Sequence, residues 1–136
     1  MTHIVQYGTL PCRLTQSGKL EILLITSRET GRWVVPRGNP IPNLDPQGSA
    51  AQETFEEAGV RGDIGPGVGS YRYEKRRRDG SVVPALVHLF RLAVTEEADQ
   101  WPEKGQRARR WFEPDAAADA VEEAELKALI RNATSA

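Results

Sequence analysis

Three glutamates near the end of a short predicted helix constrain this chain more than any other feature. Glu53, Glu56 and Glu57 lie between Gly38 and Val60 at spacings i, i+3 and i+4. On an α-helix these positions share one face, with neighbouring Cβ atoms roughly 5–6 Å apart. The carboxylates repel each other, and the carboxyl end of a helix adds about half a negative charge. This crowding favours a bound cation, and hard oxygen ligands suit Mg²⁺ or Mn²⁺.

Local signals predict both ends of this helix. Asp45 and Pro46 are typical of an N-cap and of the first helical position, although Gly48 weakens the first turn. Gly59 is typical of the left-handed residue that follows a helix. We therefore predict a helix from Pro46 to about Ala58.

Short apolar runs predict strands before and after the helix. The hairpin dipeptide Asp79-Gly80 separates two long runs. The predicted strands are residues 4–14, Leu20–Thr26, Arg32–Pro36, Val68–Arg77, Ser81–Val94 and Arg107–Phe112. The predicted loops are residues 38–45, 62–69 and 95–106, and Pro114–Asn132 is predicted to form one or two helices. This order predicts a mixed sheet with helices packed on it, in one domain of residues 1–136.

Charge and cysteine content exclude several classes of protein. The 136 residues carry a formal net charge of −1, which argues against bulk attraction to nucleic acid or to a membrane. One cysteine, Cys12, excludes an internal disulfide and fits a reducing compartment. Neither a signal-peptide pattern nor an apolar run of about 20 residues is present, so we expect a cytoplasmic protein. A nucleic-acid-binding module that uses residues 72–78 is the alternative from another class.

The stretch from Gly38 to Val60 resembles the Nudix box. That box reads Gly, five residues, Glu, seven residues, and then Arg-Glu-apolar-any-Glu-Glu-any-Gly-apolar. Gly38, the three glutamates, Gly59 and Val60 match its spacing. Residues 101–103 and 110–112 resemble the branch that includes the diphosphoinositol polyphosphate phosphohydrolases and their bacterial relatives. The chain is therefore similar to the Nudix hydrolase family over most of its length.

Two positions of the box depart clearly from the family pattern. Leu44 stands where the family has its first Glu, and Gln52 stands where it has Arg. In the family these two side chains are thought to pair and to support the loop and the helix. Loss of one partner would leave an unpaired charge, whereas both are absent here. We therefore expect a neutral contact in place of the ion pair, with metal binding unaffected.

The resemblance implies a fold and an activity. The fold is α/β, with a mixed sheet between helices in a Nudix α/β/α sandwich. The activity is hydrolysis of a phosphoanhydride with Mg²⁺ or Mn²⁺, and we favour a dinucleoside polyphosphate as substrate. The alternative is a catalytically weak ligand-binding or regulatory module of the same fold. We expect a phosphorylated small molecule as partner, neither nucleic acid nor a membrane, and a monomer or a homodimer.

The resemblance also implies roles for acidic residues. Glu56 and Glu57 are the first choice of metal ligands, and the Gly38 carbonyl completes the shell. Glu53 binds metal or takes the proton from water, so Glu53 and Glu57 are the expected catalytic residues. Relatives often recruit a further acidic residue from a distant loop. The open candidates are Glu96, Glu97 and Glu103.

Cationic side chains are candidates to bind the phosphates of the substrate. Arg37 adjoins the box and Arg28 precedes it, and arginine suits bidentate phosphate binding. In the basic run 74–78, strand alternation sends Lys75 and Arg77 to one face and the two other arginines to the opposite face. We assign Arg28, Arg37, Lys75 and Arg77 to the substrate. The alternative for the basic run is an exposed strand end.

Overall fold

The computed structural model describes residues 3–133 and contains seven strands and three helices in that range. The strands are β1 (Ile4–Leu14), β2 (Leu20–Thr26), β3 (Trp33–Val34), β4 (Arg37–Gly38), β5 (Val60–Arg76), β6 (Val82–Glu97) and β7 (Arg109–Phe112). The helices are α1 (Pro46–Ala58), α2 (Pro114–Ala120) and α3 (Ala124–Ala133).

The seven strands form one mixed sheet. The order is β3-β2-β1-β6-β5, with β4 paired to β1 and β7 paired to β2. The β1 and β6 strands run parallel, from Ile4 opposite Ala85 to Cys12 opposite Ala93, and the other pairs are antiparallel. The expected mixed sheet is confirmed.

Alternation along β2 shows how the layers are built. Ile22 and Leu24 point into one apolar cluster, and Leu23 and Ile25 point into another. All four are fully buried. Side chains of α2 and α3 complete the first cluster, and Ala58 of α1 joins the second. Helices therefore cover both faces of the sheet, which confirms the α/β/α sandwich.

Helix α1 begins and ends where the sequence predicts. The Asp45 carboxylate accepts a hydrogen bond from the Gly48 amide at 2.6 Å. Gly59 follows the helix with φ of 70° and donates its amide to the Phe55 carbonyl. This left-handed conformation suits glycine because it has no Cβ atom. The helix thus presents its last turn to the neighbouring loop 98–108.

Three predictions about the strands are corrected by the structure. Residues 62–69 are part of β5, because bulges between positions 61 and 69 absorb the irregular pairing with β6. A Cβ atom at Gly62 would overlap the Ala93 backbone, so the glycine permits this close approach. The predicted strand Arg32–Pro36 is divided into β3 and β4, and β4 includes Gly38 from the predicted loop. Pro36 separates the two because it has no amide to donate.

Other boundaries move by a few residues. Strand β6 continues to Glu97, and β7 begins at Arg109. The C-terminal segment forms two helices. Within residues 3–133, no helix is both long and apolar enough to cross a bilayer.

Candidate active site

A cleft of about 460 Å³ brings together side chains from α1, the strand ends and the loop 98–108. Its carboxylates belong to Glu29, Glu53, Glu57, Glu74 and Glu103. Its cationic groups belong to Arg28, Arg32, Arg37, Lys75, Arg76 and Arg107. Charges of both signs thus share one concave surface.

Glu57 is the most deeply buried acid of the cleft. Only 8% of the residue is exposed. Its Oε1 accepts a hydrogen bond from the Arg37 backbone amide at 3.2 Å. Its Oε2 lies 3.8 Å from Arg107 Nη2. Burial raises the pKa of Glu57 to about 7, because these two contacts only partly offset desolvation and the nearby Glu103 and Glu53 charges oppose ionisation. The ionised form therefore lacks full compensation in the metal-free protein.

Glu53 lies one turn earlier and faces the start of the box. Its pKa is raised by burial and then by the charges of Glu56 and Glu103. A Cβ atom at Gly38 would overlap the Glu53 carboxyl group. Glycine at this position therefore lets a carboxylate lie directly against the backbone of β4.

Glu56 occupies the edge of the same helix face. Its carboxylate accepts a hydrogen bond from Gln52 Nε2 at 2.9 Å on the exposed side of α1. Glu53 and Glu57 contribute to the cleft lining, whereas Glu56 does not contribute to it. Its charge nevertheless raises the pKa of Glu53.

Of the three candidate distant acids, Glu103 is the one that lines the cleft. Its Oε1 accepts a hydrogen bond from Arg107 Nε at 2.9 Å. Its negative charge raises the pKa of both Glu53 and Glu57. The other two candidates have partners elsewhere. Glu96 pairs with Arg61, and Glu97 pairs with Arg13.

The carboxyl end of α1 receives its cation from β7. Arg109 Nη1 donates to the Ala58 carbonyl at 2.9 Å and to the Gly59 carbonyl at 3.2 Å. The Arg109 guanidinium also lies 4.0 Å from the centre of a Trp101 ring. The sequence indicated that a cation neutralises the acidic helix end, and Arg109 supplies part of that positive charge. A guanidinium placed by the fold compensates the helix dipole.

The carboxylates fit a hard divalent cation. Within residues 3–133, no three His, Cys, Asp or Glu side chains already form a metal cage. Glu53 and Glu57 nevertheless share a cleft with Glu103, and burial leaves the first two with raised pKa values. Carboxylate oxygens are the donors that Mg²⁺ and Mn²⁺ prefer. Glu53, Glu57 and Glu103 are therefore the cleft residues that would hold such an ion.

The model of the NUDIX domain matches residues 10–133. The chain belongs to the NUDIX domain family. The diphosphoinositol polyphosphate phosphohydrolase 3-beta of Bos taurus is 36% identical over 95 residues, which cover 68% of this chain and 54% of that protein. Nudix hydrolase 21, chloroplastic, of Arabidopsis thaliana is 32% identical over 111 residues, which cover 76% of this chain and 52% of that protein. The chain spans about half the length of these curated relatives.

Solved structures share the NUDIX fold over nearly the whole chain. A C. elegans Ap4A hydrolase binary complex has a TM-score of 0.72 at 23% identity, covering 97% of this chain and 96% of that one. The NUDIX domain of Shewanella oneidensis NrtR complexed with ADP ribose has a TM-score of 0.71 at 12% identity. That match covers 99% of this chain and 90% of the other. At these identities the likeness shows the fold alone. The resemblance inferred from the box is confirmed.

The two departures from the Nudix box lie at exposed positions. Leu44 is 46% exposed, and Gln52 donates a hydrogen bond to Glu56. A neutral contact between the two positions stays a prediction. The loop before α1 is tied to the helix by another contact, in which the Ile41 amide donates to Ser49 Oγ at 2.9 Å. A neutral Gln therefore binds one of the box glutamates in this NUDIX chain.

The basic run enters the cleft differently from the prediction. Lys75 and Arg76 both line the cleft, but Arg77 does not. Strand β5 ends at Arg76, and the Arg77 amide donates to the Ser81 carbonyl in the turn. Burial alternates along the end of β5, with Lys75 half-buried and Arg76 exposed, yet both residues lie at the opening of the cleft. The assignment of Arg77 to the substrate therefore has no support from its position.

The two other predicted phosphate ligands do line the cleft. Arg37 lies with its guanidinium 4.1 Å from the centre of the Tyr73 ring. Arg28 donates to Gln106 Oε1 at 3.1 Å, which links the β2–β3 turn to the loop 98–108. The sequence reasoning missed Arg107. Its i, i+4 spacing from Glu103 is typical of a helical ion pair, but Glu103 was predicted to lie in a loop and Arg107 at the start of a strand.

Proposed function

We propose that this NUDIX chain is a metal-dependent pyrophosphohydrolase that cleaves a phosphoanhydride in a polyphosphorylated small molecule. The observation that carries this proposal is the shared cleft of carboxylates and cationic side chains. The charges of Glu53, Glu57 and Glu103 oppose one another's ionisation. Arg107 contacts two of these carboxylates, and a divalent ion would offset the remaining repulsion. Lys75 and Arg76 at the same opening suit a chain of phosphates.

The proposed division of labour follows from the burial of each group. A divalent ion, when bound, neutralises phosphate charge and makes a water more acidic. Glu57 is the most deeply buried of the proposed ligands, and a hydrogen bond from the Arg37 amide fixes its carboxylate. Glu53 is the second ligand or the proton acceptor, since its raised pKa makes it a better base than an exposed Glu. Arg28, Arg37, Lys75 and Arg76 bind the phosphates of the substrate.

A recess beside the cleft favours a nucleoside over a phosphorylated ring. It has a volume of about 410 Å³ and is lined by Arg32, Tyr73, Glu74, Glu122 and Glu123. Arg32 is already paired with Glu123 at 2.9 Å and with Glu122 at 3.8 Å. The remaining negative charge repels phosphate, whereas carboxylates accept hydrogen bonds from sugar hydroxyls and amino groups. We therefore favour a dinucleoside polyphosphate over a densely phosphorylated inositol as substrate.

The alternative function is a catalytically weak module that binds a ligand with the same fold. The departures at Leu44 and Gln52 are its support. Both positions are exposed, so neither weakens the buried carboxylates on which hydrolysis depends. A nucleic-acid-binding function receives less support, because five carboxylates line the cleft beside the basic run.

The test is a substrate panel assayed with Mg²⁺ and with Mn²⁺. It contains dinucleoside polyphosphates, nucleoside triphosphates, nucleotide sugars and inositol pyrophosphates. We expect metal-dependent turnover that is fastest with a dinucleoside polyphosphate and is lost in Glu57→Gln. Fastest turnover of an inositol pyrophosphate would overturn the substrate class. Ligand binding without turnover of any substrate would favour the regulatory module.

A further inference from the structure

The segment 98–109 is docked on two rigid elements. The Glu103 amide donates to the Glu56 carbonyl of α1 at 3.0 Å. On the other side, the Ala108 amide donates to Thr26 Oγ1 at 2.9 Å, and the Thr26 amide donates to the Ala108 carbonyl at 3.1 Å. The loop therefore bridges the end of the glutamate helix and the end of β2.

Arg107 connects these two anchor points through its side chain. Its Nη1 donates to the Thr26 carbonyl at 3.2 Å, and its Nε donates to Glu103 Oε1 at 2.9 Å. The side chains of Arg107 and Glu103 are only 11% and 20% exposed. The contact of Arg107 with Glu57 is longer, at 3.8 Å. The guanidinium is thus fixed to β2 and holds Glu103 more closely than it holds Glu57.

We propose that Arg107 is a positioning residue that orients the Glu103 carboxylate toward Glu53 and Glu57, so that the loop supplies a further ligand to the cation site. This inference rests on the proposed metal dependence. A planar guanidinium can donate to a carbonyl and a carboxylate at once in a fixed direction. Groups that orient ligands in this way strongly influence metal affinity.

The direction in which metal affinity changes when Arg107 is removed distinguishes a positioning role from a purely electrostatic one. A guanidinium beside a cation site repels the cation, so its removal strengthens metal binding if charge alone matters. If Arg107 positions Glu103, its removal weakens metal binding, because a ligand loses its orientation. The two roles therefore predict opposite changes in the dissociation constant for a divalent ion.

The experiment measures the Mn²⁺ dissociation constant of the full chain by titration calorimetry. The variants are Arg107→Met, Glu103→Gln and their combination. We expect Arg107→Met to weaken Mn²⁺ binding on the order of 10-fold. The same change in the Glu103→Gln background has no further weakening effect, because the carboxylate to be positioned is gone. Arg107→Lys keeps the positive charge but loses the planar guanidinium that donates to two groups at once, so we expect it to weaken Mn²⁺ binding as well.

The matched control is Arg110→Met, which removes an exposed arginine from the adjoining strand β7 and leaves affinity unchanged. Equal or tighter Mn²⁺ binding by Arg107→Met overturns the inference. Equal weakening by Arg107→Met with and without Glu103 also overturns it. If Arg107→Met does not fold, unweakened binding by Arg107→Lys overturns it instead. No Mn²⁺ binding by the unaltered protein overturns the proposed metal dependence itself, and the inference with it.

Discussion

Glu57 combines the deepest burial of the cleft with a carboxylate that must be ionised to hold a cation. Burial raises its pKa to about 7 from an ordinary 4.5. The folded protein therefore holds the proton more tightly than the unfolded chain does. Its contribution to stability is full below the unfolded pKa and is lost as the pH rises through the folded pKa.

We predict that Glu57→Gln stabilises the metal-free protein at about pH 8 by on the order of 1 kcal/mol, because the buried charge is removed. At about pH 5 the two proteins should differ little, since Glu57 is then protonated in the folded state. Urea unfolding at both pH values measures the difference, and the rate assay should show loss of most turnover. A variant that is less stable at the higher pH would contradict the burial cost. A variant with unaltered turnover would contradict the ligand role.

Among the secondary-structure elements, α1 depends on contacts from outside the helix. Its last turn contains two glutamates, and its terminal carbonyls are bound by Arg109 of β7. We predict that Arg109→Met destabilises the protein by about 2 kcal/mol, because carbonyls are left without donors at an acidic helix end. It should also lower turnover, since Glu57 loses its fixed position. Arg110→Met on the same strand is the control. Equal unfolding free energies for the two variants would rule out this role of Arg109.

The elements also show how far sequence alone predicts this fold. The ends of α1 were predictable because Asp45 and Gly59 act through their immediate neighbours. Residues 62–69 were not, because their strand conformation comes from pairing with β6, while the glycines there indicate a loop. The glutamate trio was found through spacing. Arg107 was missed, because its partner Glu103 lies in a loop and its contacts with Thr26 and Glu57 join distant segments. Lys75 lines the cleft and Arg77 does not, because β5 ends at Arg76, and the sequence does not show where that strand ends.

The charge layout of the whole cleft leads to a prediction about substrate length. Lys75 and Arg76 line the cleft, and the turn residues Arg77 and Arg78 do not. We predict that replacing Lys75 and Arg76 by Gln lowers kcat/KM more for substrates with more phosphates, because each added phosphate brings charge to pair. The matched control replaces Arg77 and Arg78 by Gln, with the same loss of charge. If both double variants respond alike to phosphate number, the basic run acts as a general field and binds no phosphate directly.

The parallel pairing of β1 with β6 has a consequence for how the protein is made. The paired residues Ile4 and Ala85 are 81 positions apart in the sequence, and their strands meet at the centre of the sheet. Contacts between such distant segments form slowly, because closing the long intervening chain costs entropy before any pairing is gained. During synthesis the glutamate helix leaves the ribosome well before β6 and the loop with Glu103. A nascent chain can therefore carry all three box glutamates and still lack a place for their cation until β6 and the loop with Glu103 have been made.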